Sequence, residues 1–379
     1  MIRLPIPLPR LATPGDTVFG AQASIALQGL PASHAVVVTG TSLAPRLLDQ
    51  LRGRLKAASV TVVRRPPGEP GVDQVQTMAA AASAGRVPDL IVGVGGGSSL
   101  DAAKLLLVLT EAPEIDLGQY VRPFSLPPVR RRCRLALIPT TAGSGSECSS
   151  AALLTLGDPP RKVPIVSHDL LPDLAILDPA FLAGIPAPIL AAGLVDAITH
   201  AVEGYLSRVA NPLADAFAEK AVQMVVEGFP AYRGEPDDPQ RILALQLAAY
   251  LAGLVQNLEG VGACHALAHQ LSRFGIGHGT ANGVFLPAVL ASHRAHAPSA
   301  ARLAQLERAA GLSRVEDLLA DLQVYGGLPA RLDPAVLDSA DQAALCADAL
   351  ADVCTRFHPV DLTVDDYRRL LERATGALL

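Results

Sequence analysis

The chain has no tryptophan, and aromatic residues fill only 4% of its 379 positions. Its interior must therefore be built mainly from Ala, Leu and Val, and a 50% apolar composition supplies enough of them for a large core. A basic excess is also missing. The formal net charge is -5, and Arg130-Arg131-Arg132 is the one tight basic run. Nucleic acid and anionic membrane surfaces both require a positive face, so neither is an expected partner. The five cysteines, Cys133, Cys148, Cys264, Cys346 and Cys354, share no C-x-x-C spacing and make no even-numbered framework. They read as reduced thiols, which suits a cytoplasmic protein. The first twenty residues are proline-rich and lack the continuous apolar segment of a secretion signal. ALQLAAYLAGLV is too short an apolar run to cross a membrane. There is no G-x-G-x-x-G, no P-loop, no internal repeat and no low-complexity tail.

What is present has two halves, as a length of 379 residues leads one to expect. Residues 17–30 suggest a short strand followed by a helix. AVVVTG (35–40) is a continuous branched run ending in glycine, the pattern of a buried parallel strand. A helix, the strand SVTVVRRP and a helix ending at Gly85 follow, and then DLIVGVGGGSSLDAAKLLLVLT gives strand, glycine turn and helix. RLALIPTTAGSGSECSS is a further strand running into a polar turn. Strands alternating with helices imply a parallel sheet covered on both faces. After LAILDP (174–179) the strand signal stops, and Ala/Leu-rich amphipathic segments separated by short loops take over. The expectation is an α/β, Rossmann-like dinucleotide-binding domain over 1–182 and an all-helical metal-binding, catalytic domain over 183–379.

The turn Gly95-Gly96-Gly97-Ser98-Ser99 lets a ligand approach the backbone, and the free N–H groups at the following helix start favour a phosphate. Asp101 is expected to satisfy some of those N–H groups from within the first turn. A second small-residue turn, Thr140 to Glu147, also ends a strand. Two such turns at strand carboxyl ends are where open α/β sheets bind nucleotides.

In the helical half, Asp196 and His200 are four residues apart, as are His265 and His269, so each pair shares one helix face. His278 follows in IGHGTAN, and three of the chain's nine histidines fall within fourteen residues. One carboxylate and two or three imidazoles on neighbouring helices can close around a divalent metal. Such a set accepts iron, zinc, nickel or cobalt and does not choose between them.

GGGSSLDAAK (95–104), IPTTAGSGSE (138–147), KVPIVSHDLLPDLAILDP (162–179), GLVDAITHAVEGYLS (193–207), HALAHQL (265–271) and HGTANGVFLP (278–287) occur in one order. Together they resemble the iron-containing (group III) alcohol dehydrogenase family, from about residue 15 to the carboxyl terminus. The resemblance implies metal ligands at Asp196, His200, His265 and His278, holding Fe2+ or Zn2+. It implies a role in proton relay for His269, and dinucleotide contacts at Gly96, Gly97, Ser98, Thr140, Thr141, Ser149 and Lys162. It further implies an NAD- or NADP-linked oxidoreductase acting on a small alcohol or aldehyde, working as a homodimer or higher homo-oligomer. Related architectures give the alternatives: a dehydroquinate synthase-like, glycerol dehydrogenase-like or maleylacetate reductase-type enzyme. Cys264, beside a ligand, reads as packing. The family commonly carries an Asn seven residues before the third ligand, where this chain has Leu258, flanked by Asn257 and Glu259.

In NAD-preferring members an Asp commonly follows the second strand, where it binds the ribose 2′-hydroxyl and repels a 2′-phosphate. Here Gly40 stands there, with Thr41 and Ser42 after it and Arg46 as the nearest basic residue in sequence. NADP is therefore expected to be used at least as well as NAD.

Overall fold

Runs of branched apolar residues without polar alternation suit strands covered on both faces. The computed structural model describes residues 11–376 apart from positions 69, 84, 131, 158 and 159, and it uses these runs in that way. The α/β part begins with β1 (Asp16–Phe19), β2 (Ala32–Thr39), α1 (Pro45–Arg54), β3 (Ala57–Arg64) and α2 (Val72–Ser83). It continues with β4 (Leu90–Gly95), α3 (Gly97–Glu111), β5 (Arg134–Pro139), β6 (Ala151–Leu156), β7 (Arg161–Val166) and β8 (Leu174–Leu177). Six strands form one parallel sheet in the order β1-β8-β5-β4-β2-β3. Alternate residues of β2 face opposite ways, as the strand period requires. Val37 packs with Leu48, Leu51 and Leu27 on one face, while Val36 and Val38 pack with Met78, Leu100 and Leu106 on the other.

The chain leaves β2 for β3 on one side, then returns to β4 on the other. The carboxyl ends of β2 and β4 thus flank the point where strand order reverses, and that is where open α/β sheets take their ligands. Thr39 pairs with Val94, so Gly40 and Gly95 end neighbouring strands.

One expectation is refined and another corrected. The helix expected after β1 is present as a 3-10 helix, Ala23–Gly29. Ser24 there turns to Asp178, donating from its N–H at 3.1 Å and its hydroxyl at 2.5 Å. Side-chain bonds of this kind compete with regular helix. Nor does every strand join the parallel sheet. β6 and β7 pair antiparallel with each other as a separate hairpin, and AALLTL alternates buried and half-buried side chains accordingly.

The remainder is helical: α4 (Ala187–Tyr205), α5 (Pro212–Gly234), α6 (Pro239–Glu259), α7 (Ala263–Leu271), α8 (His278–Ala295), α9 (Ala297–Ala309), α10 (Val315–Gly326), α11 (Ser339–Ala351) and α12 (Val364–Thr375). Residues up to Thr141, Gly145–Ala183 and Asp237–Leu243 group into one compact unit, and Ala142–Ser144, Gly184–Pro236 and Ala244–Leu379 into a second. By length and hydropathy alone α6, which contains ALQLAAYLAGLV, would match a membrane span. Yet 67% of that window is buried inside the protein, as in a core helix. All five cysteines are free and buried.

Asp178 ties β8 to the first 3-10 helix and to Arg54 of α1, whose guanidinium lies 3.4 Å away. It is fully buried and Arg54 half-buried. Replacing Asp178 by Ala strands the Arg54 charge and the Ser24 N–H, and is expected to cost about 3–5 kcal/mol. Chemical denaturation of the variant measures this.

Candidate active site

Three helices of the second unit bring the histidines together. α4 carries Asp196, His200 and Glu203 at helical spacing, α7 carries His265 and His269, and α8 begins at His278. The start of α8 is pressed against α4: a Cβ on Gly279 would stand 2.0 Å from the Ala192 carbonyl oxygen, so only glycine allows the approach. His278 Nε2 thereby comes to 3.3 Å from Asp196 Oδ1, and His265 Nε2 to 3.5 Å. Ligand atoms of Asp196, His265 and His278 all lie within 4.8 Å of one another. His200, a turn further along α4, has its Nε2 3.8 Å from the same carboxylate oxygen and its ring stacked on His265 at 4.6 Å.

The groups around these four hold them in place. Glu203 accepts from His265 Nδ1 at 2.7 Å, from the Cys264 N–H at 2.7 Å and from the His265 N–H at 3.2 Å. One buried carboxylate therefore both caps the start of α7 and fixes the His265 ring. Asn282, one turn into α8, donates from Nδ2 to Asp196 Oδ1 at 2.7 Å. The same nitrogen lies 3.3 and 3.4 Å from the Nε2 atoms of His265 and His278. Cys264 donates from Sγ to the Asn282 carbonyl at 3.4 Å. Burial, with Glu203 and Asp196 nearby, holds the Cys264 thiol well above its usual range, so it packs as a thiol. Neither Glu203 nor Asn282 was singled out from the sequence. The only signal for Glu203 was its place three residues after His200 on the same face.

Charges here are set by burial against pairing. Burial opposes ionisation of Asp196, but His200, His278 and His265 outweigh it and hold the carboxyl well below the ordinary range. Burial pushes His200 down to about 3 and His278 down to about 4, leaving both imidazoles neutral. It also opposes charge on His265, yet hydrogen bonds to Asp196 and Glu203 prevail and raise that ring to about 9. An anionic carboxylate facing imidazole nitrogens is the donor chemistry of a divalent transition metal, so the residues fit one.

His269 stands beside this group. Its ring stacks on His278 at 5.3 Å, and its Nδ1 donates to Asp352 Oδ2 at 2.9 Å. Asp352 also caps the 3-10 helix that follows, accepting from the Cys354 N–H at 2.9 Å. That partner lies 83 residues from His269, and no spacing in the sequence announces it. Beside Leu258, Glu259 is buried and accepts from the Asn211 N–H, while its own carbonyl accepts from Ser207 Oγ at 2.7 Å.

In the first unit, Gly95 has φ 151°, and a Cβ there would stand 2.6 Å from Ser99. Its conformation and its closeness to α3 both demand glycine. Gly96 and Gly97 open α3, whose start has no side-chain cap at its N-cap position, which leaves N–H groups for an anion. Thr140 donates to the Gly95 carbonyl at 2.9 Å, and the Thr141 side chain borders Gly96, so the two turns adjoin. Asp101 does not play the expected capping part. It lies beyond the first turn, accepting from Ser146 Oγ at 2.6 Å and the Leu153 N–H at 3.2 Å. Ser149 is buried and held by Lys104, which donates from Nζ to its carbonyl at 2.9 Å, its hydroxyl at 3.2 Å and the Ala151 carbonyl at 2.7 Å. Lys162 lies on the hairpin opposite Thr155.

Over residues 14–179 the chain matches the family described as iron-containing alcohol dehydrogenase, and over 190–375 the carboxy-terminal part of the Fe-containing alcohol dehydrogenase family. It is 28% identical over 380 residues to the NADPH-dependent butanol dehydrogenase of Clostridium saccharobutylicum, covering 96% of this chain and 97% of that one. Identity to the NAD-dependent methanol dehydrogenase of Bacillus methanolicus is 30% over 361 residues, with 92% and 94% covered. The structure of the iron-containing alcohol dehydrogenase of Thermococcus thioreducens matches with a TM-score of 0.87 at 28% identity, over 98% of this chain and all of that one. With the glycine turns, the Asp/His cluster and the matched architecture all agreeing, the chain belongs to the iron-containing alcohol dehydrogenase family.

Proposed function

We propose that the protein is a metal-dependent, NAD(P)-linked oxidoreductase that interconverts a small primary alcohol and its aldehyde, or a ketone. The observation that carries this reading is the convergence of Asp196, His200, His265 and His278 in a buried cluster. Those four residues would hold Fe2+ or Zn2+. Bound there, the ion supplies Lewis-acid polarisation of a substrate oxygen, while the nicotinamide supplies or accepts the hydride. The substrate class rests on the butanol and methanol named for the relatives.

The chain's own residues do the positioning. Glu203 keeps the His265 ring turned so that Nε2 faces Asp196, and Asn282 fixes the Asp196 carboxylate from the other helix. Asp352 occupies His269 Nδ1, which leaves Nε2 of that ring for carrying a proton to or from the substrate. Gly96, Gly97, Ser98, Thr140 and Thr141 are the dinucleotide contacts in this reading, with Ser149 and Lys162 further along. A homodimer, or a multiple of it, is the expected assembly.

His265→Ala and His278→Ala should each lose bound metal and activity together, measured by elemental analysis and turnover after iron or zinc reconstitution. Full retention of both would show the ligand assignment to be wrong. Glu203→Gln is expected to weaken metal affinity by about 10–100-fold, read by competition with a chelator. For His269→Ala the expectation is near-complete metal content with turnover reduced about 10²-fold or more. Loss of the metal there would mean that His269 is a ligand. Net consumption of NADH or NADPH with short aldehydes tests the reaction class, because an enzyme that returns the hydride within one turnover consumes none. Light scattering at micromolar concentration should give at least twice the chain mass, and a strictly monomeric species would refute the assembly.

A further inference from the structure

A second group of metal-binding side chains stands beside the Asp196 cluster and shares no residue with it. α7 packs against the short 3-10 helix Val353–Phe357 that follows α11. That packing sets His269 against Asp352 and Cys354, so that an imidazole nitrogen, a carboxylate oxygen and a sulfur all lie within 4.8 Å of one another. The two oxygens of Asp352 have separate duties. Oδ1 accepts from the Cys354 N–H at 2.9 Å and fixes the start of the 3-10 helix, while Oδ2 faces His269 Nδ1 at 2.9 Å. Gln270 Nε2 lies 3.4 Å from the same Oδ2. The His269 and Asp352 side chains are 10% and 9% exposed and Cys354 is buried, so the three donors meet largely out of reach of water. The His269 ring stacks on His278 at 5.3 Å and meets His265 edge-on at 6.2 Å, which makes the two groups neighbours. The reaction proposed above uses His269 and Asp352 but gives the Cys354 sulfur nothing to do.

Nitrogen, sulfur and carboxylate oxygen together are the donor set of a borderline-soft divalent ion such as zinc or cobalt, whereas magnesium and calcium take oxygen. Zinc bond lengths of about 2.0–2.3 Å place tetrahedral donors roughly 3.3–3.6 Å apart, inside the spread found here. The hydrogen bond between His269 and Asp352 has to open by only about half an ångström to admit the ion. Three protein donors leave a fourth position for water. We propose that His269, Asp352 and Cys354 form a second metal site, selective for Zn2+ or Co2+ over Mg2+, and that filling it stops turnover. The site itself stands on this geometry, and its effect on turnover rests on the proton-relay reading of His269. An ion on Nδ1 displaces the proton shared with Asp352, and its charge keeps the ring from taking up another at Nε2. The thiol proton leaves to solvent as the sulfur binds. With one donor fewer than the Asp196 cluster and protons to shed, the site takes its ion after that cluster has filled. A group that only held the His269 ring in place would bind no second ion.

The test is titration of the purified, metal-free full-length protein with Co2+, followed by absorption. Thiolate bound to cobalt gives a charge-transfer band in the near ultraviolet, and the Asp196 cluster has no cysteine among its four donors. The first equivalent should therefore bind without the band and the second should raise it. Cys354→Ser should keep the first equivalent, lose the band and bind the second ion about tenfold or more weakly. Asp352→Asn, which keeps an oxygen for the Cys354 N–H, should weaken the second ion likewise. Retention of the first equivalent shows that each variant is folded. In parallel, turnover of a short aldehyde is followed with the first site filled by Fe2+ or Zn2+. Further Zn2+ should lower it about 10²-fold in the wild type, and Mg2+ should leave it unchanged. A wild type that takes a single equivalent, or a band that persists in Cys354→Ser, would overturn the second site and leave the Asp196 cluster intact. A second ion that raises the band while turnover continues would overturn the inhibition, and with it the relay reading of His269. A protein that binds no ion at all would overturn both metal sites.

Discussion

The Asp/His cluster of the helical unit depends on keeping the Asp196 carboxylate charged in a buried place. A buried carboxylate is stable as an anion only where positive or donating groups surround it. Asp196 obtains them from three helices: imidazoles on α4, α7 and α8, and the Asn282 amide. Each of those groups then needs its own support. Glu203 supports His265, Cys264 supports Asn282, and the missing side chain at Gly279 lets α8 come close enough for the rest to meet. Nδ1 of His200 and of His278 find no hydrogen-bond partner, so the residues that support the other groups are as tightly constrained as the donors.

The α/β unit obeys a different constraint, which is geometric. A parallel sheet whose strand order reverses leaves an opening at the carboxyl ends of two adjacent strands, and loop residues there decide what enters. Gly40 ends one of these strands and Gly95 the other. Neither glycine puts a side chain between the two strand ends. Unit architecture and local composition thus point to the same kind of ligand, an anionic one.

Much of this was legible in the sequence, and the failures have a common cause. Helical spacing alone brings Asp196 and His200, or His265 and His269, onto one face, and a branched run ending in glycine marks β2 and β4. Those signals are local. Asp352 lies far along the chain from His269, so no window of sequence contains both. Asp101 misled because its place near a helix start suggested capping, whereas tertiary contacts to Ser146 and Leu153 claimed it. The β6–β7 hairpin was missed because AALLTL and RKVPIV are short and were given no element between the polar turn and LAILDP.

One consequence follows from the two charged residues on the inner side of α3. Asp101 grips Ser146 and the β6 backbone, and Lys104, three residues on, grips Ser149 and Ala151. Both are buried, and both anchor the stretch between β5 and β6 to the helix whose first residues form the glycine turn. The glycine turn and the far end of the turn after β5 are thus fastened to one helix. Movement of the stretch from Ser146 to Ala151 is therefore tied to movement of α3, and with it of the glycine turn that opens the helix.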